Sequence, residues 1–389
     1  MGIHRGPNTV NDNLVFGYDT GYGIADNDAA TRFYPGKPTV NYLSDGIGGS
    51  NIVSDANWNG ATPTFTLGTS EFGTPIGSYN TSGTSYMYSH DHVLDDDLST
   101  LSGQNVTFSI YLKRQTAGNV RIRIYDNNSG YTYSTHSVTT EFQRYTINKT
   151  LGSSPTRIFV MIDNTGGGII DFHSPQLEIG VATPFVDGTR SSTTSLIDLK
   201  RTTSIDVSNV SFDSTGQPTW DGTSDYITIP GSSGITSNAK TVEIMFKMNG
   251  SYPNYSPLAI YSNGSSATDR IWLGLQNNKF RMHGWGTVDP EGTTTIAADT
   301  WYVCVFSYDK TSQAMKVYAN GVLETSTTNT QSGVTAQNTH NWSIGTVPGG
   351  WQSVTYSDAD IPIFKVYNRI LSDLEVKQNY NAYKNRFDS

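Results

Sequence analysis

Along most of this chain apolar and polar side chains alternate one for one, the spacing of a β-strand with one packed face and one polar face. Val106, Phe108, Ile110 and Leu112 share one face, and Thr107, Ser109 and Tyr111 share the other. Val120, Ile122 and Ile124 alternate with Arg121, Arg123 and Tyr125, and Ile158, Val160 and Ile162 repeat the rule. Val242, Ile244, Phe246 and Met248 oppose Thr241, Glu243, Met245 and Lys247, a second face that this pattern assigns to solvent. Turn chemistry agrees. Asn320-Gly321 suits a type I′ hairpin, whose central residues both need positive φ, and Asn277-Asn278 is expected to turn the strand at 271–275 back into 279–283. Helical spacing is confined to the C-terminus. There Ser372 and Glu375 form a capping box, and Leu374, Val376, Tyr380 and Tyr383 give the expected apolar face of about three turns. The expected class is all-β: two antiparallel β-sandwich (jelly-roll) domains and a short C-terminal helix.

Composition narrows the function classes. Charged residues are 15% and aromatic residues 12%, the reverse of a disordered, solvating chain. With 25 Lys and Arg against 34 Asp and Glu, the net charge of −9 offers no basic field for nucleic acid. The one cysteine, Cys304, has no internal partner, so core burial must hold the fold. No apolar run approaches the ~18 residues of a membrane span. Residues Met1 to Asn11 lack the basic-then-apolar layout of a secretion signal, so manufacture without one is expected.

Two seams divide the chain. Residues 188–194 (GTRSSTT) read as a linker, and 34–40 (YPGKPTV) hold two prolines that interrupt any strand. The expected parts are 1–37, an arm or first strand; 38–190, a middle domain; and 191–389, a C-terminal domain.

The C-terminal part carries a resemblance. Residues 220–230 (WDGTSDYITIP), the hairpin of Trp301–Val305, Tyr308-Asp309 and Lys316–Val322, and the closing 364–372 (FKVYNRILS) with Glu375-Val376 resemble, in order, motifs of concanavalin A-like, laminin-G-type jelly rolls. In that reading Trp220, Tyr226 and Trp301 are core fillers. Leu14–Asp19 and Phe33–Gly36 resemble the opening strand of the same family, yet about 180 residues separate them from the rest. The resemblance therefore implies that the middle domain is inserted and that the first strand pairs beside 361–367; a flexible arm over residues 1–40 is the alternative. The middle segment is similar to carbohydrate-binding-module-like, galactose-binding-type jelly rolls of bacteriophage structural proteins. Its carriers are Asn41–Leu43, Phe108–Lys113 and the closing 175–185 (PQLEIGVATPF). Together these imply a phage virion surface protein, a tail fibre or a capsid fibre. Implied partners are other virion proteins, further copies of the chain (a trimer, by analogy with such fibres) and host-surface polysaccharide.

Catalysis finds little support in the sequence. Glycoside hydrolysis needs two carboxylates about 5–9 Å apart, and Glu243 and Glu178 each stand without a second acid in step. No G-x-S-x-G elbow occurs, and Cys304 lies mid-strand, where an inert buried thiol is expected. The segment His90-Asp91-His92 with Asp95, Asp96 and Asp97 is the best metal-like cluster, but it matches no ligand spacing and reads as a solvated loop. No cofactor is required. Related sandwiches can hold a structural Ca²⁺, for which Asp221 and Asp225 are candidates that equally well cap turns. Sugar contact is better supported: a pyranose packs its C–H face on an aromatic ring while its hydroxyls seek polar partners. Trp285, with His283 beside it and glycines on both sides, Trp351 after Gly349-Gly350, and Trp58 between Asn57 and Asn59 are the expected contacts. The same tryptophans also suit packing against a loop or another subunit.

Overall fold

The computed structural model describes residues 9–21, 37–43, 58–60, 63–81, 83–89, 98–213, 215–230, 238–262, 270–284, 289–328, 340–351 and 354–385. The motif at 33–36, the His/Asp cluster at 90–97 and Trp285 lie outside these residues. Two compact units emerge, one of residues 1–37 with 192–389 and the other of 38–191. Both are antiparallel β-sandwiches.

In the 38–191 unit, a five-stranded sheet runs in the order Trp58–Gly60, Ser85–Ser89, Ile158–Asn164, Gly118–Asp126, Gly130–Val138. A four-stranded sheet runs Gly77–Thr81, Gly168–Ile179, Asn105–Arg114, Gln143–Thr150. Their inward residues, among them Val120, Ile122, Ile124, Phe108, Ile110 and Phe172, form one buried cluster. The closing motif is a polar clasp on the outer side of the four-stranded sheet. Gln176 Nε2 donates to Glu178 Oε1 at 2.6 Å, and the backbone N–H of Thr183 donates to the same oxygen at 2.8 Å. Thr39 Oγ1 and Thr183 Oγ1 donate to Glu178 Oε2 at 2.9 and 2.6 Å. One buried carboxylate thus ties the entering strand to the segment that leaves the unit, each acceptor satisfied as burial demands.

In the other unit, the larger sheet is centred on Ala239–Met248, which lies between Asp358–Tyr367 and Trp301–Asp309. Leu14–Asp19 pairs antiparallel with Asp358–Tyr367, placing Gly17 opposite Lys365. The second sheet runs Ile227–Ile229, Asn341–Ile344, Ser256–Ser262, Ile271–Gln276, Lys279–His283. Between the sheets lie Trp220, Val242, Ile244, Phe246, Leu273, Cys304, Trp342 and Phe364. Both expected hairpins form: Asn320 and Gly321 have φ of 50° and 75°, and Asn277 and Asn278 have 53° and 59°. Trp220 is a core filler, whereas Tyr226 is half-buried against Tyr356 and Trp301 is half-buried under Lys247.

One expectation is corrected here. The face of Thr241, Glu243 and Met245 is not wet; all three are buried, because the C-terminal helix Asp373–Tyr383 covers Glu243 and Met245 and the segment before it hydrogen-bonds Thr241 through Arg369 and Leu371. The helix is of the expected length, but its buried residues are Val376, Asn379, Ala382 and Tyr383, and Leu374 is 82% exposed. Asn379 is inside because it serves Glu243: its Nδ2 donates to Glu243 Oε2 at 2.9 Å.

The helix start is fixed by charge as well as by its cap. Ser372 Oγ accepts from the backbone N–H of Glu375 at 3.3 Å, and Glu375 accepts from the backbone N–H of Ser372 at 2.8 Å. Arg369 grips the same carboxylate with two nitrogens at 2.8 and 2.6 Å. The Arg369 hydrogen bonds bring the Glu375 carboxyl down to about 2. A depressed carboxyl contributes stability that is complete above its unfolded value, near 4.5, and is lost as pH falls through about 2. Glu375→Gln should therefore cost about 1 kcal/mol at pH 7 after solvent screening. Chemical denaturation from pH 7 to 2.5 should show the variant and the parent converging in acid; a constant gap would remove the assigned cause.

Candidate functional site

The outer face of the five-stranded sheet follows from the alternation that fills the core. With Val120, Ile122 and Ile124 inward, Arg121, Arg123 and Tyr125 must point outward. The register then sets three ranks across the strands. Phe159, Tyr125 and Tyr131 form the first; Tyr88, Met161, Arg123 and Tyr133 the second; Tyr86, Asp163, Arg121 and Thr135 the third. The aromatic rings touch within and between ranks: Tyr125 stacks on Phe159 at 4.5 Å and meets Tyr131 at 4.6 Å, and Tyr88 of the second rank meets Phe159 of the first at 5.5 Å. Guanidinium groups lie on the outermost rings, Arg121 over Tyr133 at 4.9 Å and Arg123 over Tyr131 at 5.7 Å.

This face is open. Tyr86, Tyr131 and Tyr133 are 50%, 51% and 61% exposed, while Phe159 and Met161 beneath them are buried. Asp163 is the buried acid between the arginines, hydrogen-bonded to Arg123 and 3.9 Å from Arg121. Burial pushes its carboxyl up, and the two arginines offset only part of that. The arrangement gives flat rings for an apolar ligand face and charged donors beside them.

The outer side of the four-stranded sheet carries a second group of rings around the buried His173. His173 stacks on Tyr111 at 4.8 Å and meets Phe142 edge-on at 4.5 Å, with Phe72 lying against Tyr111 at 5.3 Å. Burial lowers the His173 pKa, which favours the neutral ring.

The other unit presents a polar groove of about 500 Å³, lined by Lys279, Arg281, Asp289, Glu291, Thr325 and Thr327 among others. The edge strand Lys279–His283 alternates Phe280 and Met282 inward, so Lys279, Arg281 and His283 face out. Arg281 pairs with Asp289 at 3.2 Å and Glu291 at 3.6 Å, and His283 Nδ1 contacts Asp289. The two acids lie at i and i+2, with Pro290 between them. Both carboxylates pair with cations.

The expected contact residues part company. His283 lies on the groove's strand, 23% exposed. Trp58 is a core residue, 4% exposed and edge-on to Phe172 at 5.4 Å, so it is corrected from contact to packing. Its flanking asparagines suggested a turn, but it belongs to the strand Trp58–Gly60, paired with Ser85–Ser89. Trp351 ends the strand Thr346–Trp351, and its side chain is outside those described, as is all of Trp285. Tyr131 and Tyr133 were missed although they alternate; the signal that could have found them is aromatic–Thr/Ser alternation with the aromatics as the exposed set.

Asp221 and Asp225 act as caps. Asp221 Oδ1 accepts from the backbone N–H groups of Thr223, Ser224 and Asp225 at 2.8, 2.8 and 3.1 Å, and Asp225 accepts from Ser211 at 3.3 Å. Burial opposes ionisation of Asp221, but the Thr223 hydroxyl, which donates to Oδ2, and these backbone bonds outweigh it and hold the carboxyl well below the usual range. Among the described residues no three His, Cys, Asp or Glu side chains converge as a metal site. Burial pushes the Cys304 thiol well up, which suppresses the reactive thiolate.

The sandwich of the unit containing both termini is a concanavalin A-like jelly roll: residues 221–377 match the family described as the concanavalin A-like lectin/glucanases superfamily. No curated protein matches the chain. Among solved structures it is similar to domain 4 of a GH43 extracellular arabinanase from Geobacillus stearothermophilus, in complex with arabinotriose, at 21% identity over 42% of this chain and 75% of that one, TM-score 0.34. It is similar to the CBM40 of the Ruminococcus gnavus IT-sialidase bound to α2,3-sialyllactose, at 18% identity over 36% and 80%, TM-score 0.31. The botulinum neurotoxin serotype D binding domain gives 14% identity over 49% of each chain, TM-score 0.37, so the chain spans about half of that domain. Nothing about ligand or activity passes from these structures to this chain. The fold class is that of lectin and carbohydrate-binding domains.

Proposed function

We propose that this chain is a lectin-like adhesion protein of a phage virion surface, and that host-surface polysaccharide lies on the open face of the five-stranded sheet. One observation carries the reading: Tyr86, Tyr131 and Tyr133 stand half or more exposed on a floor of packed rings, flanked by arginines. Aromatic rings held outward cost hydration that a sugar's C–H face relieves on binding. A shallow platform gives weak single contacts, and several copies on one particle raise the total through effective concentration. His283, on the strand that borders the groove of the other unit, is proposed as a second polar contact. The virion setting rests on the sequence resemblance of the middle segment.

Tyr131→Ala and Tyr133→Ala should each weaken binding on a glycan array about tenfold, roughly 1.4 kcal/mol. Because both rings are exposed, thermal unfolding should move little. Binding that survives both substitutions would end the platform reading.

A structural virion role without glycan is favoured by a separate feature. The edge strand Gly130–Val138 has nine residues with no proline, lysine or irregularity of register, devices that normally prevent pairing with another chain. Under that reading the tyrosines meet a neighbouring subunit, and a Thr135→Pro change would lower the oligomeric state measured by light scattering.

A further inference from the structure

Resting on the adhesion reading, the geometry points to a carboxylate-bearing polysaccharide as the ligand, with Arg121 as the receptor of its acid group and Tyr133 as the adjoining ring. The two arginines in mid-face differ. Arg123 is committed to Asp163 by a hydrogen bond and is 23% exposed. Arg121 is 35% exposed, stands 3.9 Å from the same carboxylate oxygen and makes no hydrogen bond among the described residues. It lies on the Tyr133 ring at 4.9 Å, which holds the guanidinium plane in place while its N–H edge remains available.

Charge decides the class. The ranks place two guanidinium groups around one buried carboxylate, and Arg157 adds a third cation over Phe159 at 5.6 Å. Among the described residues of the three ranks, two guanidinium groups face one carboxylate, in a chain whose net charge is −9. A neutral sugar would take only single, uncharged hydrogen bonds from this arginine, whereas a planar carboxylate matches the guanidinium fork with two parallel, charge-assisted hydrogen bonds. Asp163 is itself an example of the ligand chemistry: a carboxylate already accepted between these arginines. The sugar ring bearing the acid would reach Tyr133 on one side and Thr135, the cross-strand partner of Arg121, on the other.

The test uses the full chain on an array of hyaluronan, polygalacturonate and colominic acid against dextran and fully methyl-esterified polygalacturonate. Selective binding of the acids should fall about tenfold in Arg121→Gln, should weaken between 50 and 300 mM salt, and should be regained in part by Arg121→Lys. Equal binding of polygalacturonate and its ester, unchanged in Arg121→Gln but lost in Tyr133→Ala, would overturn the acid-receptor role and leave adhesion standing. Binding to none of the five, by a protein whose melting curve is intact, would overturn both.

Discussion

Lys365→Met is expected to cost about 3–5 kcal/mol, the usual result of leaving a buried charge without its compensating partner. Lys365 and Glu243 are fully buried and directly opposite on neighbouring strands. Tyr383 Oη donates to Glu243 Oε1 at 2.8 Å and itself receives a hydrogen bond from Lys365 Nζ at 2.6 Å. Burial pushes the Glu243 carboxyl up, and the Lys365 charge is the largest influence opposing that rise. Without the lysine the acid must take up a proton to stay inside. A raised folded-state pKa makes stability fall as pH climbs from the unfolded value toward the folded one. The deficit of Lys365→Met should therefore be smaller at pH 5 than at pH 8. Adding Glu243→Gln should recover most of the loss, because the pair then goes as a unit. A single-variant cost below 1 kcal/mol in denaturant titration would mean that the pair is not coupled.

That pair also marks where the sequence stopped being legible. Alternation identified the strands 106–112, 120–124, 158–162 and 242–248 because each has one continuous apolar face. It does not say what the opposite face meets. Glu243 and Lys365 are more than one hundred positions apart and each alone reads as a solvent-facing charge; only the register sets them opposite one another, joined through Tyr383 Oη. Gly17 belongs to the same arrangement, since a Cβ there would meet Lys365 Cγ at 2.9 Å. The Asn-Gly hairpin and the capping box were legible because their geometry is local. The candidate platform was not. Its edge strand, YTYSTHSV, turns Thr132, Ser134 and His136 toward the less exposed side and leaves the tyrosines out, so hydrophobicity points the wrong way. Trp58 fails in the opposite sense: polar neighbours in sequence concealed a core residue.

Gly345→Ala should be the other severe substitution, at about 3 kcal/mol, although it adds a single methyl group. Gly345 has φ of +80° and joins the strand Asn341–Ile344 to Thr346–Trp351. Its backbone is held at both ends: its N–H donates to Leu258 O at 2.9 Å and its carbonyl accepts from Ser357 at 2.9 Å. The chain cannot rotate away from the left-handed region without releasing both bonds. A side chain there costs about 1–2 kcal/mol for the backbone alone. The new Cβ would also overlap the indole of Trp220, which is 1% exposed and donates from Nε1 to Ile344 O at 3.3 Å. Overpacking of this kind adds about 1–3 kcal/mol. The two contributions separate in a double-mutant cycle with Trp220→Leu. In the leucine background the overlap is gone and the backbone cost remains, so Gly345→Ala should there cost only about 1 kcal/mol. An equal cost in both backgrounds would show that the indole does not set the requirement for glycine, and that the positive φ alone does.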